Sequence, residues 1–287
     1  MEKADSSKDK KNKKSKYEEY LSKVPQTTIE EWSSIQNSLK SKLILSDLHD
    51  WSVSSLSLIG GMDISCSKKD PSYAVTALTI CDSSLKCIYE KYSIVKMTEP
   101  YVPGFLAFRE VNHLKNLLDD LKKNYPKKFP EVILCDGNGI LHSKRFGIAC
   151  HLGVLEDIPT IGCSKTVFAT EGITEKNVKK LSRENLKVKG DYIPLYGNNN
   201  DILAYALKST EESINPIIVS IGHRVSENTA LEIVKKCTLY RVPEPIRLAD
   251  KISRRLVKIY ENNEFLEFDV EKYVEDHRSE LHSAIDN

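Results

Sequence analysis

The stretch from Glu131 to Gly153, EVILCDGNGILHSKRFGIACHLG, limits what this chain can be more than any other. Val132, Ile133 and Leu134 form the short apolar run of a buried strand. The run stops at Asp136, and Gly137 and Gly139 then break regular structure. Four basic or potentially basic side chains follow, His142, Lys144, Arg145 and His151, mixed with small and apolar ones. A carboxylate at a strand's end, then bare backbone, then cations, suits phosphate chemistry. The carboxylate can hold a hard cation, glycine admits a close approach, and the cations meet phosphodiester oxygens. An ordinary strand-to-helix turn with a capping Asp would carry the same letters, so the stretch alone leaves both readings open.

The rest of the chain supplies partners for Asp136. An amphipathic helix is expected over Pro25–Leu45, with Thr28 and Glu31 as a capping box and Ile29, Trp32, Ile35, Leu39 and Leu43 at helical spacing. Three strands follow, Leu56–Ser65, Tyr73–Ile80 and Leu85–Ile94, with turns at Asp70-Pro71 and Asp82–Ser84 that suggest antiparallel hairpins. In the first, Ile59, Gly61, Asp63 and Ser65 share one face, so Asp63 ends a mostly apolar strand. A helix over about 104–124 has the stripe Leu106, Leu114, Leu117 and Leu121, with Glu110 four residues from the first two. A carboxylate inside an apolar stripe is costly unless a cation or several donors meet it. This points to a functional group, with a structural ion pair as the alternative. Between these elements, Pro100 and Pro103 stiffen the loop around Tyr101, which either presents an aromatic tip to bases or plugs the loop onto the core.

Further on, Pro159–Cys163 is a short buried strand delivering Lys165, and a β–α–β arrangement makes it parallel to Val132–Cys135. Residues 171–200 are polar and read as insertion and loop. Ile202–Leu207 and Pro216–Ile221 are further strands, the second ending in the cationic exit Gly222-His223-Arg224. Ser226 caps a helix to Cys237, and a last helix after Pro243 and Pro245 has the stripe Leu248, Ile252, Leu256 and Ile259. Asp250 lies off that stripe and by position reads as solvent-facing. The fold class is α/β with a mixed sheet flanked by helices. If the fourth strand pairs beside the first, Asp63, Glu110 and Asp136 converge, a layout that binds one or two Mg²⁺ or Mn²⁺.

The whole-chain balance excludes some classes. At 287 residues there is enough chain for one large domain or two small ones. Lys+Arg number 42 against Asp+Glu 41, so net charge does not announce a nucleic-acid binder. The charge is uneven, however. Residues 1–18 read as a disordered basic arm with a lysine run from Lys8 to Lys16, open to roles in nuclear import, nonspecific backbone contact or solubility. Residues 25–262 read as one domain, and 263–287 as an acidic tail without a core pattern. No stretch reaches transmembrane length and no apolar signal core precedes the domain, so no membrane role is expected. Seven scattered cysteines, none in a CxxC pair, fit a reduced intracellular compartment and argue against a zinc site.

Six blocks carry a recognisable pattern: GMDIS from Gly61, PYVPGFLAFRE from Pro100, CDGNGILHSKRFGIACHLGV from Cys135, PTIGCSK from Pro159, IGHRVS from Ile221 and PEPIRLAD from Pro243. In this order, over roughly residues 25 to 262, they resemble the endonuclease V family. The resemblance implies an RNase H-like fold and metal-dependent cleavage at the second phosphodiester 3′ of a deaminated purine, above all inosine. It implies Asp63, Glu110 and Asp136 as metal ligands and Mg²⁺, or Mn²⁺ in its place, as cofactor. Tyr101 would be the tip of a wedge formed with Pro103 and Gly104, and Lys165 and His223 would stand near the scissile phosphate. His142 falls on a basic position after the glycines, and Gly137 and Gly162 would line a pocket for the everted base. Asp250 matches a recurring acidic position in the last helix. Asn138 stands where the family often has His, which puts any proton transfer there in doubt. The basic arm and the polar 171–200 stretch suggest a eukaryotic member. The implied partner is inosine-containing single-stranded RNA or DNA, RNA being favoured, with the protein a monomer in the cytoplasm or nucleus, including the nucleolus. A noncatalytic RNA- or DNA-binding protein on the same fold leaves the placement of Glu110 unaccounted for. A general RNase H-like nuclease leaves the wedge unaccounted for.

Overall fold

The computed structural model describes residues 24–47, 52–262 and 269–281, so the basic arm lies outside the described residues. Gln26–Lys40 forms α1, the first helix among the described residues. It starts on Pro25 with no side-chain cap, so the Thr28–Glu31 capping box does not form. The start is set instead by packing, since Val24 and Trp32 bury themselves in a small cluster with Val102 and Phe105. Leu58–Cys66 (β1), Tyr73–Asp82 (β2) and Cys87–Lys96 (β3) then make the antiparallel meander expected from their turns. The carboxylates of Asp70 and Asp82 accept from the backbone N–H groups of Ser72 and Ser84, both at 2.9 Å, closing the two turns.

Leu106–Asn124 (α2) buries Leu114, Leu117, Leu118 and Leu121 and leads into Val132–Asp136 (β4). Ile148–Glu156 (α3) returns the chain to Thr160–Ser164 (β5). β4 runs parallel to β1, with Met62 opposite Cys135, and also to β5, with Asp136 opposite Cys163. The carboxyl ends of β1, β4 and β5 therefore lie at one edge of the sheet, where open α/β sheets place their ligands.

The polar stretch 171–200 is more regular than its composition suggested. It contains Glu175–Asn185 (α4) and Tyr192–Tyr196 (β6). Thr174 caps α4 by accepting from the N–H of Asn177. Only Val178 and Ser182 of α4 are buried, and β6 is an edge strand with Tyr192 and Tyr196 exposed. α4 has only two aliphatic side chains, Val178 and Leu181, the second of them exposed, so its polar composition hides it.

Ile202–Leu207 (β7) and Ile217–His223 (β8) complete a single eight-stranded sheet in the order β3-β2-β1-β4-β5-β8-β7-β6. Glu227–Lys236 (α5) starts on Ser226, whose hydroxyl accepts from the N–H of Thr229 as expected. Glu244–Asn262 (α6) crosses β1 and β2. Residues 269–281 carry ordered structure: Val270–Asp276 (α7) and the helical residues 278–281 after it bury Val270, Val274 and Leu281 against Val75, Ala77 and Tyr92. α2 and α3 pack over Met62, Leu78, Ile80 and Ile133 in a separate cluster.

Gly61 fixes how closely α6 approaches. A Cβ at this position would stand 2.2 Å from the carbonyl carbon of Pro245, so helix backbone lies directly on strand backbone. Thr79 adds a hydroxyl donated to the Pro245 carbonyl at 2.6 Å. This contact carries Asp250 and Ser253, further along α6, over the end of β1.

Candidate active site

Asp63 points from β1 toward α6, as the alternation of that strand requires. Its Oδ2 accepts from the hydroxyls of Ser65 at 3.1 Å and Ser253 at 2.9 Å. Asp136 closes β4 beside it, and Asp250 comes from α6. Asp63, Asp136 and Asp250 each offer an oxygen within 4.8 Å of the other two. Lys165, delivered by β5, sets its ammonium 2.8 Å from Asp136 and 3.2 Å from Asp250, and Arg254 reaches Asp250 at 2.8 Å. Glu110 enters from α2 and lines the same cleft of about 570 Å³, without joining the tight trio. The tight set therefore includes Asp250, which its place off the apolar stripe had read as solvent-facing.

The charges explain why such a set needs a cation. Burial, then the neighbouring charges of Asp136 and Asp250, push the Asp63 carboxyl up to about 7. Burial and the Asp63 charge push Glu110 up to about 8. Burial works against the charge of Lys165, yet Asp136 and Asp250 hold it above the ordinary lysine value. Lys165 and the more exposed Arg254 leave the buried Asp63 and the half-buried Asp136 and Asp250 short of compensation, which a divalent ion with oxygen ligands would supply. The donor set suits a hard divalent cation.

In the loop from Pro100 to Phe105 the residue that plugs the core is Val102 and not Tyr101. Val102 is fully buried, while Tyr101 is 48% exposed at the turn. Gly104 is buried with φ +81°, and its carbonyl accepts from the Nε2 of Gln36 on α1 at 3.3 Å. The same amide donates to the Phe146 carbonyl at 3.2 Å. Gln36 thus ties this loop to the segment after Asp136. Gly104 is part of that anchor, and Pro103 is half-buried beside it.

Several sequence-predicted positions serve the fold instead. His223 is 2% exposed at the far end of the sheet, because β8 runs antiparallel to β5. It pairs with Thr160, whereas Asp136 pairs with Cys163, three residues or about 10 Å further along β5. Its Nδ1 accepts from the N–H of Ile44 at 3.2 Å, and Asp157 lies 3.5 Å from its Nε2. Burial pushes its pKa down. His142 is buried, stacked on Phe168 at 5.0 Å between ring centroids, and burial followed by the Lys144 charge pushes it down to about 4. It is neutral near pH 7 and offers no cation to a phosphate. His151 is likewise pushed down to about 4 by burial, and Arg145 is held by Glu171 and Asp201. Lys144 is exposed on the same segment.

A Cβ on Gly162 would meet the Gly139 nitrogen at 2.4 Å, so the glycine loop lies backbone to backbone on β5. Gly137 has φ +153° at the mouth of the loop. Asn138 accepts from the Ser164 hydroxyl at 3.1 Å and anchors the loop to β5. Ser253 and Gln36 escaped the sequence reading, and Ser65 was read there only as sharing the strand face of Asp63. The spacing of Asp250, Ser253 and Arg254 within one turn of a helix was the available signal for the first of them.

The model of the endonuclease V family matches residues 37–251, a span that contains the carboxylates, Lys165 and the Tyr101 loop. Endonuclease V of Homo sapiens is 38% identical over 239 residues, which are 82% of this chain and 85% of the human protein. The crystal structure of the human catalytic domain superposes with a TM-score of 0.80 at 36% identity, covering 85% of this chain and 100% of that one. Ciona intestinalis endonuclease V, in complex with a 24mer DNA containing an inosine followed by a ribo-adenosine, gives 0.77 at 37% identity and covers 82% and 99%. With the match spread over most of both chains, and the acidic cluster inside it, this chain belongs to the endonuclease V family.

Proposed function

We propose that the protein is a Mg²⁺-dependent endonuclease acting as a monomer on inosine-containing single strands, RNA in preference to DNA, at the second phosphodiester 3′ of the deaminated purine. The observation that carries this reading is the meeting of Asp63, Asp136 and Asp250 within 4.8 Å, with Glu110 in the same cleft and Lys165 between two of them. Asp63, Asp136 and Asp250 would hold the ion, with Glu110 beside them. Bound there, a divalent cation lowers the pKa of attacking water and screens charge on the phosphate. Ser65 and Ser253 fix the rotamer of Asp63, so that its oxygens face the cleft before substrate arrives. Lys165 offsets negative charge that grows on the phosphate, and Arg254, Lys258 and Lys68 line the cleft beyond it. Tyr101, exposed above an anchored loop, stacks in the space left by the everted base, which leaves most readily from an unpaired site.

Matched RNA and DNA oligomers, each with and without one inosine, test the reading. Cleavage with Mg²⁺ confined to the inosine strands and lost in EDTA is the expected result. Equal cutting of inosine-free strands would make the protein a general nuclease, and binding without cutting would leave it a noncatalytic binder.

A further inference from the structure

A second surface, at the other end of α2, combines cations with paired rings. The end of that helix and the turn after it carry Lys122, Lys123, Lys127 and Lys128 on both sides of Tyr125. Tyr125 is 49% exposed, and its ring lies 5.4 Å from that of Tyr89 on β3, tilted by 51°. The Lys128 ammonium sits 5.3 Å and 5.5 Å from the two ring centroids. A groove of about 730 Å³ continues along the edge strand β3, past Lys86 and Tyr92, to α7. Asp119 pairs with Lys115, Asp120 with Lys91 and Glu90 with Arg278, while the exposed Glu275 stands on α7, at the other end of the groove from Tyr125.

We propose that this face is an accessory surface for single-stranded nucleic acid. It holds a length of strand away from the cut site by phosphate contacts to the lysines and base stacking on Tyr125. An acidic peptide would use the lysines and leave the rings idle, and an apolar partner would do the reverse. A single strand uses both, because every base has a π-face and every linkage a charge. Glu110 and Asn124, the last residue of α2 before Tyr125, stand fourteen residues apart on one helix, about 21 Å at 1.5 Å per residue, so the surface is distinct from the cleft. It does not depend on the cleavage reading, since it requires neither inosine nor metal.

Binding is measured by fluorescence anisotropy on the full chain carrying Asp136→Asn. The probe is labelled oligouridine of roughly 20 nucleotides, longer than the ~4–16 that one such platform covers. EDTA is present throughout, so inosine specificity plays no part. Tyr125→Ala is expected to weaken binding about five-fold or more and Tyr125→Trp to retain it, the signature of a stack. Combined Lys122→Glu, Lys123→Glu and Lys127→Glu should lower the slope of log affinity against log salt by about 2, at ~0.7 per phosphate contact. If that variant melts early, Lys127→Glu alone, on an exposed turn, must still lower the slope by about 0.7. Unchanged affinity and slope in these variants overturn the proposal. So does tight binding of polyglutamate with none of oligouridine, which would assign the face to an acidic protein.

Discussion

Two effects oppose each other at Asp63. Hydroxyl donors from Ser65 and Ser253 favour its charge, while burial and two neighbouring carboxylates resist it, and resistance wins in the metal-free protein. Asp63→Asn should therefore relieve repulsion while removing a ligand. Cleavage of an inosine oligomer is expected to fall by more than ten-fold, about 1.4 kcal/mol of barrier, and calorimetric Mn²⁺ affinity to fall with it. Retained metal affinity and rate would remove Asp63 from the site. Tyr101 makes a different prediction because it is exposed beside a buried Val102. Tyr101→Ala should weaken substrate binding by about 1–3 kcal/mol, the range of a base–aromatic stack, with Phe or Trp restoring it. Its melting temperature should hardly move, whereas truncating a buried aromatic costs about 3–5 kcal/mol. A large drop in melting temperature with unchanged affinity would return Tyr101 to the core.

At the scale of elements, the contact of α6 on β1 is the joint on which the site depends. Gly61 permits it, with Pro245 backbone where any side chain would start. Gly61→Ala must push the helix off the strand, at about 1–3 kcal/mol of overpacking, and move Asp250 and Ser253 away from Asp63. Thermal melts and Mn²⁺ titration should both report the change; a variant with normal Mn²⁺ affinity would show that Asp250 is dispensable. Strand direction matters as much as contact. β8 ends on a glycine-led cationic run that looks on paper like the exit of β5, but it runs the other way and leaves His223 at the wrong end of the sheet.

For the whole molecule, pH and metal are coupled through the cleft. Asp63 and Glu110 titrate near 3.8 and 4.5 when unperturbed and are raised to about 7 and 8 in the folded chain. Between those limits the native state holds protons that the unfolded chain has released, so stability falls as pH rises. The histidines lowered from 6.5, His142 and His151 to about 4 and His113 and His223 by burial in the same direction, act in the opposite sense and fade over roughly the pH unit above 6.5. In the interval from about pH 7 to 8 the carboxylates therefore outweigh the histidines, each worth at most about 1.4 kcal/mol per pH unit. The melting temperature in EDTA should fall across that interval. Saturating Mg²⁺ should raise it more at pH 8 than at 6.5, since ~100-fold excess over Kd adds about 2.7 kcal/mol. A flat or rising metal-free curve would mean that the carboxylates do not strain the fold.

The hairpins, the β–α–β unit and the partners Asp63 and Asp136 were legible in the chain itself, because strand alternation, turn carboxylates and buried apolar runs are local signals. The six blocks read in order named the family as well. What the letters did not carry was direction and approach: which end of the sheet β8 enters, and that α6 lies backbone to backbone on β1. Those facts separate His223 from the cleft and bring Asp250 and Ser253 into it. The low-burial elements α4 and β6 were hidden for a related reason, since they bury few apolar side chains of their own. Position along a chain is one-dimensional, whereas a metal site is a set of distances among side chains far apart in sequence, and only the packed sheet and its crossing helix set those distances.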